Sequence, residues 1–445
     1  MNKKLYMVSL GCSKNLVDSE VMLGLLEKDG YQVTEGPEDA NLLLVNTCGF
    51  IGSAVKEAID EILALARYKK DDPAKKLVVT GCLVQRYGAE LEKELPEVDL
   101  FIGTNGFHTI VKQLYGIKHP LPLAHSLEQA PYLMDSAIPR KISTPPHRAY
   151  MKITEGCINR CSYCLIPDIR GKLRSRTIAD LMAEARRLDT EGIKELTLVA
   201  QDLLAYGIDL DGKVNLIDLL RSLLAETGIP WIRLLYLHPA RVREDLLHLM
   251  AENSRLLPYL DIPLQHVSDH ILRLMNRPYT KKQLIRLIET ARAILPKSAL
   301  RTTMMVGFPG ETEEDLAEMA DFLTTYQFDH LGVFAYANED GCRAAGLPGQ
   351  VEENTKEERL QKIMELQADI SFNALQKQVG KVEQVLVEGF SRETDLLLEG
   401  RTRYQAPDEI DGCVYITRGI VKPGTLADVM ITEAHTYDLV GELKE

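Results

Sequence analysis

No run of 18 or more apolar residues occurs in this chain, and no basic, apolar, small-residue leader opens it. The first absence excludes a membrane-spanning helix; the second gives the expectation of a cytoplasmic protein with no membrane partner. Nor is there an excess of positive charge. Lys and Arg number 52 against 65 Asp and Glu, a net charge of −13, which works against nonspecific attraction to nucleic acid and favours a basic partner. Without a secretion signal, eight cysteines read as ligands or free thiols and not as a disulfide framework. Disorder is excluded as well, because 45% hydrophobic and 26% charged residues are ordinary for globular protein. At 445 residues the chain has room for two to four domains.

A fourth clustered cysteine is also missing. Gly156-Cys157-Ile158-Asn159-Arg160-Cys161-Ser162-Tyr163-Cys164 brings three thiols within eight residues, a metal pattern, yet closed zinc sites and four-iron clusters ordinarily take four ligands. A zinc knuckle completed by a distant His such as His147, or a disulfide-prone loop, would account for the spacing without catalysis. A cluster iron lacking a protein thiolate would instead be free to bind and polarise a small molecule. CxxxCxxC with an aromatic before its last cysteine, here Tyr163, resembles the signature of the radical S-adenosylmethionine enzymes. That resemblance implies a 4Fe-4S cluster on Cys157, Cys161 and Cys164, with S-adenosyl-L-methionine on the open iron.

Upstream, residues 1–120 alternate apolar runs (Leu5 to Leu10, Asn41 to Val45, Lys76 to Thr80) with helical patterns, predicting an open parallel α/β sheet. Each run ends at a cysteine: Gly11-Cys12, Thr47-Cys48, Gly81-Cys82. Ligands gather at the carboxyl ends of such strands, so these three would share one edge and could hold a second cluster; ordinary buried cysteines are the alternative. Pro- and His-rich residues 121–146, with Pro120 just before them, read as a linker.

Residues 147–378 carry six strand candidates beginning at Tyr150, Glu195, Trp231, Leu257, Leu300 and His330, separated by helical stretches. This predicts an incomplete (βα)6 barrel with chemistry at the strand carboxyl ends. Gln201 and Asp202, His238, Gln265 and His266, and Gly307 to Glu311 fall there and are candidate pocket residues. Between Pro145 and Arg176 seven Lys and Arg face two acids, a local +5. That patch suits an anionic cofactor or substrate, or else solvated arginines. Residues 379–445 read as a small closed antiparallel barrel. With seven basic residues against thirteen acids, a net −6, it would repel phosphate.

Taken together, an N-terminal three-cysteine domain, a radical S-adenosylmethionine core and a C-terminal TRAM barrel resemble the methylthiotransferases over essentially the whole length. One subfamily modifies an adenosine in transfer RNA; the other, RimO, modifies an aspartate of small-subunit ribosomal protein twelve. Ser9 to Glu20 (SLGCSKNLVDSE), Arg170 to Arg176 (RGKLRSR) and Leu235 to Pro239 (LYLHP) are more similar to RimO. Ser13 and Cys342 depart from the usual proline and threonine. Cys342 and Cys413 are read as free thiols.

The resemblance implies two 4Fe-4S clusters, on Cys12, Cys48, Cys82 and on Cys157, Cys161, Cys164. Tyr163 of the signature and the strand-end residues Gln201, His238, Gln265, His266 and Gly307 are the expected cofactor contacts, and a reductase or other electron donor is expected as a partner. The β-carbon of aspartate carries a C–H bond no side-chain base can ionise, so a cofactor-derived radical would remove the hydrogen and the second cluster would deliver the methylated sulfur. Ribosomal protein twelve would dock on the acidic barrel. A noncatalytic iron-sulfur electron carrier is the alternative from another class.

Overall fold

The structure is a computed structural model and describes residues 3–116, 131–392, 394, 396–408 and 410–444. Its N-terminal unit is a five-stranded parallel sheet in the order β2-β1-β3-β4-β5, from β1 (Lys4–Ser9), β2 (Gln32–Val33), β3 (Leu42–Thr47), β4 (Lys76–Gly81) and β5 (Leu100–Ile102). All six residues of β3 are buried, as expected for a central strand covered on both faces. Three helices follow strand ends: α1 (Ser13–Lys28), α2 (Gly52–Asp71) and α3 (Cys82–Glu94), with α4 (Ile110–Tyr115) closing the unit.

Pro120 and Pro122 of the predicted linker lie outside the described residues. Residues 131–146 have no helix or strand but are not a loose tether. Pro139 and Arg140 lie against Gly24 of α1 so closely that a Cβ there would come within 2.6 Å of their backbone. Arg140 then bonds Glu20 of α1 (2.6 Å) and Glu184 of the central unit (2.5 Å). The segment is a strap fixed by charge pairing inside the protein.

The central unit begins with β6 (Arg148–Lys152), followed by a small ribbon of β7 (Thr154–Glu155) and β8 (Arg174–Ser175), with α5 (Ile166–Arg170) between them. Next come α6 (Ile178–Thr190), β9 (Glu195–Val199), α7 (Leu216–Glu226), β10 (Trp231–Leu234), α8 (Glu244–Glu252) and β11 (Tyr259–Asp261). The unit ends with α9 (Asp269–Leu274), α10 (Lys281–Ile294), β12 (Ala299–Val306), α11 (Glu313–Tyr326), β13 (His330–Ala335) and α12 (Glu353–Gln376). The strands form two parallel triplets, β10-β9-β6 and β11-β12-β13, joined by a parallel bridge from Ile232 to Leu256. Six strands thus curve into an open half-barrel, with α12 packed on β13 and α11. Apolar side chains between sheet and helices form the largest core.

The C-terminal strands β14 (Val382–Phe390), β15 (Leu398–Thr402), β16 (Val414–Arg418), β17 (Leu426–Ala434) and β18 (Leu439–Leu443) close into a barrel in the order β14-β15-β16-β18-β17. One of its pairings, β16 with β18, is parallel, where an all-antiparallel barrel was expected. Its acids are less free than the composition suggests. Glu388 binds Arg148 (3.7 Å), Asp408 binds Arg148 (2.7 Å) and Asp411 binds Arg301 (3.2 Å), so these three face the half-barrel. Glu393, Asp395, Glu409 and Glu445 lie outside the described residues.

The seam between the two barrels centres on Glu195, which is fully buried and paired with Arg233 (2.5 Å) and Arg401 (2.6 Å). Burial alone would raise its pKa, but the two guanidiniums bring it down to about 2 from the ordinary 4.5. A carboxylate with a depressed folded-state pKa stabilises fully above the unfolded value and loses that contribution as pH falls through the folded one. Unfolding by urea at a series of pH values is expected to show stability dropping between about pH 4.5 and 2. Glu195→Gln is expected to be less stable at neutral pH and to show a shallower acid drop; an unchanged drop would remove Glu195 as its source.

Candidate functional site

The three N-terminal cysteines meet at the carboxyl ends of their strands. Cys12 directly precedes α1, Cys48 directly follows β3, and Cys82 opens α3. Glycines allow the approach. Gly11 (φ +90°) stands so near Cys48 that a Cβ would lie 2.9 Å from the cysteine's own Cβ, and at Gly81 (φ +105°) a Cβ would strike Thr47 O at 2.5 Å. Burial raises the Cys82 thiol pKa to about 11, against the pull of Arg170. Burial also raises Cys48, while at Cys12 Lys14 and Arg170 outweigh desolvation and lower it. Cys12 and Cys48 both act electrostatically on Cys82, so residues 12, 48 and 82 form one group.

The second triad hangs from β6. Gly156 (φ +74°) makes the turn, where a Cβ would meet Lys172 O at 2.2 Å, and Cys157 N–H donates to Gly171 O (3.1 Å). The sulfurs then receive donors: Asn159 N–H to Cys157 (3.4 Å), Arg277 Nη1 to Cys161 (3.3 Å) and Ile166 N–H to Cys164 (3.5 Å). Burial pushes Cys164 up to about 12, with the neighbouring Cys161 and Cys157 adding to the rise. Tyr163 packs into the cluster of Phe308 and Tyr336, so its ring anchors the loop to the half-barrel.

Among the described residues no three His, Cys, Asp or Glu gather tightly enough for a single metal ion. His147, the distant zinc ligand considered from the sequence, adjoins Glu388 and Gly424 of the C-terminal barrel, at the amino end of β6 and away from the thiols. Spaces of about 480 and 760 Å³ lie at the seam with that barrel, and one of about 520 Å³ lies between α8 and α10, lined by Pro239, Arg243 and Tyr279.

Between the triads lies a buried charge network. Arg170, at the end of α5, bonds Asp18 (2.9 Å), Glu155 (3.1 Å) and Asn15 (3.2 Å). Lys152 bonds Glu155 (2.7 Å) and contacts Asp18. Lys14 sits 3.6 Å above the Tyr236 ring, a cation–π contact across the interface. On the far side Glu339, in the loop after β13, accepts from Gly52 N–H (2.5 Å) and pairs with Arg86 (2.9 Å). The N-terminal sheet is therefore latched over the half-barrel rim at two places. The local +5 also finds its meaning: Arg148, Lys152, Arg170 and Arg176 are buried and paired with carboxylates, Arg174 is half-buried, and Arg160 and Lys172 are exposed.

The remaining candidates divide. Gln201 is half-buried beside Asp202, and Asp202 accepts from Asn159 (2.9 Å) and Arg241 (2.5 Å), tying the cysteine loop to the end of β9. His238 is buried; burial, with Arg277 and Arg241 nearby, lowers its pKa to about 3. Its Nδ1 accepts from Ala240 N–H (3.3 Å), and its Nε2 has no protein partner. That orphaned nitrogen suits a bound polar ligand. Gln265 adopts φ +70°, a strained state that clusters at functional sites.

His266 and Gly307 do not line an open mouth. His266 is fully enclosed, with Nδ1 on Ser268 N–H (3.0 Å) and Nε2 3.4 Å from Glu311. At Gly307 the space of a Cβ is filled by Lys356 Cγ at 2.3 Å, so this glycine admits α12 and not a ligand. Asn159, Arg241 and Arg277 escaped notice in the sequence, since nothing in their local pattern marks them. Cys342 is buried beside Leu165 and Ile169 in one cluster with Cys82, and burial raises its pKa to about 11.

Comparison with known proteins defines the class first. Residues 151–323 match the Radical SAM superfamily, 4–103 match "Uncharacterized protein family UPF0004" and 379–443 match the TRAM domain. The fold is shared with a radical S-adenosylmethionine methyltransferase, TsrM, from Kitasatospora setae (TM-score 0.54, 15% identity, 86% of this chain and 81% of that one). It is shared also with the cobalamin-dependent S-adenosylmethionine radical enzyme OxsB (TM-score 0.52, 13% identity, 82% and 56%). The chain is a radical S-adenosylmethionine enzyme.

The proteins named "Ribosomal protein uS12 methylthiotransferase RimO" from Desulfotalea psychrophila and Pelobacter propionicus are 53% and 47% identical to it. They cover 98% and 100% of this chain and 98% of each relative. The chain belongs to the RimO family of methylthiotransferases, and the electron-carrier alternative falls away.

Removing one partner from a buried charge network costs about 3–5 kcal/mol, because the remaining charges are left uncompensated. Arg170→Met is expected to destabilise by that amount in urea unfolding, whereas a change within about 0.5 kcal/mol, typical of surface sites, would show the network to be dispensable.

Proposed function

We propose that the chain methylthiolates the β-carbon of an aspartate in ribosomal protein uS12, in the cytoplasm. The observation that supports this most is the meeting of two three-thiol groups across one interface, in a chain whose family is methylthiotransferase along its whole length. Cys157, Cys161 and Cys164 would hold one 4Fe-4S cluster and Cys12, Cys48 and Cys82 a second, each with an iron left for a non-protein ligand. When bound, these groups and S-adenosyl-L-methionine supply the electron, the radical and the methylated sulfur.

The protein's own part is positioning. Tyr163 and Asn159 hold the cysteine loop against the half-barrel. His238, neutral over the physiological range with Nδ1 already accepting from Ala240 N–H, would offer its free Nε2–H as a donor to the cofactor, with Gln201 and Gln265 on neighbouring strand ends. The two latches at α1 and Glu339 keep the N-terminal sheet over the rim, which limits water around reactive species. Asp428 and Glu433, exposed on the C-terminal barrel, remain to attract a basic ribosomal protein, although Glu388, Asp408 and Asp411 are held in the seam. An electron donor completes the system.

Anaerobically reconstituted protein is expected to add a methylthio group to uS12, read by mass spectrometry, and to leave transfer RNA unchanged. Cys48→Ala is expected to retain reductive cleavage of S-adenosylmethionine but lose methylthiolation, whereas Cys161→Ala loses both. Modification of transfer RNA with none on uS12 would overturn the substrate, and equal behaviour of the two variants would overturn the division of labour.

A further inference from the structure

We propose that the protein substrate docks as an added strand along β13, the open flank of the half-barrel, with Phe334 as its apolar anchor. This rests on the reading above that the substrate is a polypeptide. An open six-stranded sheet has two edges, and here they are treated differently. At β6 the outward carbonyls are occupied: Arg148 O accepts from Thr144 (2.6 Å), Tyr150 O from Arg140 (2.6 Å) and Lys152 O from Arg176 (3.0 Å). All five residues of β6 are buried, with α1 packed over them.

The other edge is backed by α12 on its outer face, but its outward backbone is not capped in this way. β13 ends its sheet, and none of its six residues is fully buried. Asp329 N–H donates to Leu300 O next to β12, so by alternation His330, Gly332 and Phe334 turn their amides away from β12. Among the described residues no hydrogen bond beyond the β12 pairing reaches the backbone of Gly332 or Phe334. An unguarded edge is a template for another chain, and strand addition is a recurrent way to bind an extended peptide.

Side chains support the same placement. Leu331 and Val333 pack on the helix side. A Cβ on Gly332 would lie 3.6 Å from both Arg301 Nη2 and the Phe334 ring, and 3.9 Å from the Thr303 hydroxyl. Phe334 therefore shares the inner face, yet 54% of its surface is exposed. The other approaches are occupied: the rim by the latched N-terminal sheet, the amino ends by Glu195, Arg233 and Arg401. β13 leads directly into the loop bearing Glu339 and the buried Cys342, so a strand laid beside it reaches the thiol end. Exposed Asp340 beyond the carboxyl end of β13 suits a basic polypeptide.

The test uses full-length reconstituted enzyme and recombinant uS12. Hydrogen–deuterium exchange over residues 330–335 is expected to slow when uS12 is added. Phe334→Ala is expected to raise KM for uS12 about 10- to 100-fold, the size of a lost interface anchor, with a much smaller change in kcat, and Phe334→Tyr to restore most of the loss. If wild-type enzyme modifies uS12 but exchange there is unaltered, or KM is unmoved in Phe334→Ala, strand addition is wrong and the function stands. If wild-type enzyme does not modify uS12, both fall.

Discussion

The structure depends on a group of opposite charges sealed where the N-terminal sheet meets the half-barrel. Asp18 comes from α1, Lys152 and Glu155 from β6 and the ribbon after it, and Arg170 from the end of the cysteine loop's short helix. Ionised groups this deeply buried are tolerated only with good geometry and full pairing, so the interface has little freedom to slide. Arg170 also acts on Cys82 and Cys12. The contact that docks the domains thus sets the field at one thiol group and, through α5, the position of the other.

A second set of buried charges closes the opposite end. Glu195, Arg233 and Arg401 meet under the C-terminal barrel, with Tyr259 stacked by Arg233 at 4.8 Å. The barrel's acids therefore divide: some carboxylates dock the barrel on the core, and others, such as Asp428 and Glu433, stay exposed. Among the described residues, buried charges therefore close the amino ends of the half-barrel and a latched sheet covers its rim.

Much of the fold was legible because periodicity is a local property. The half-barrel strands at His330 and Glu195 and the helix over Ile178–Thr190 begin where the apolar pattern places them, and the six cysteines stand out by spacing and by their place at strand ends. Short elements were not legible: β2 has two residues and β5 three, too few to display a period. The strap at Arg140 read as a linker because its proline-rich composition hides the ion pairs that bury it. His266 and Gly307 read as pocket residues because they follow strands, whereas Glu311 and Lys356, from distant positions, occupy the space beside them.

The chain's pattern by itself determined the kinds of unit, their order and the six thiols, since these follow from spacing along the backbone. Tertiary structure alone decided which charges are interior. Lys14, Asp18 and Glu20 of α1 are charged residues that composition alone would place in water, and only the docking of α1 against β6 and the strap at Arg140 buries them. The physical reason is that burial and pairing are properties of surfaces brought together from far apart in sequence. A side chain's charge can be read from the chain, but not the partner that neutralises it.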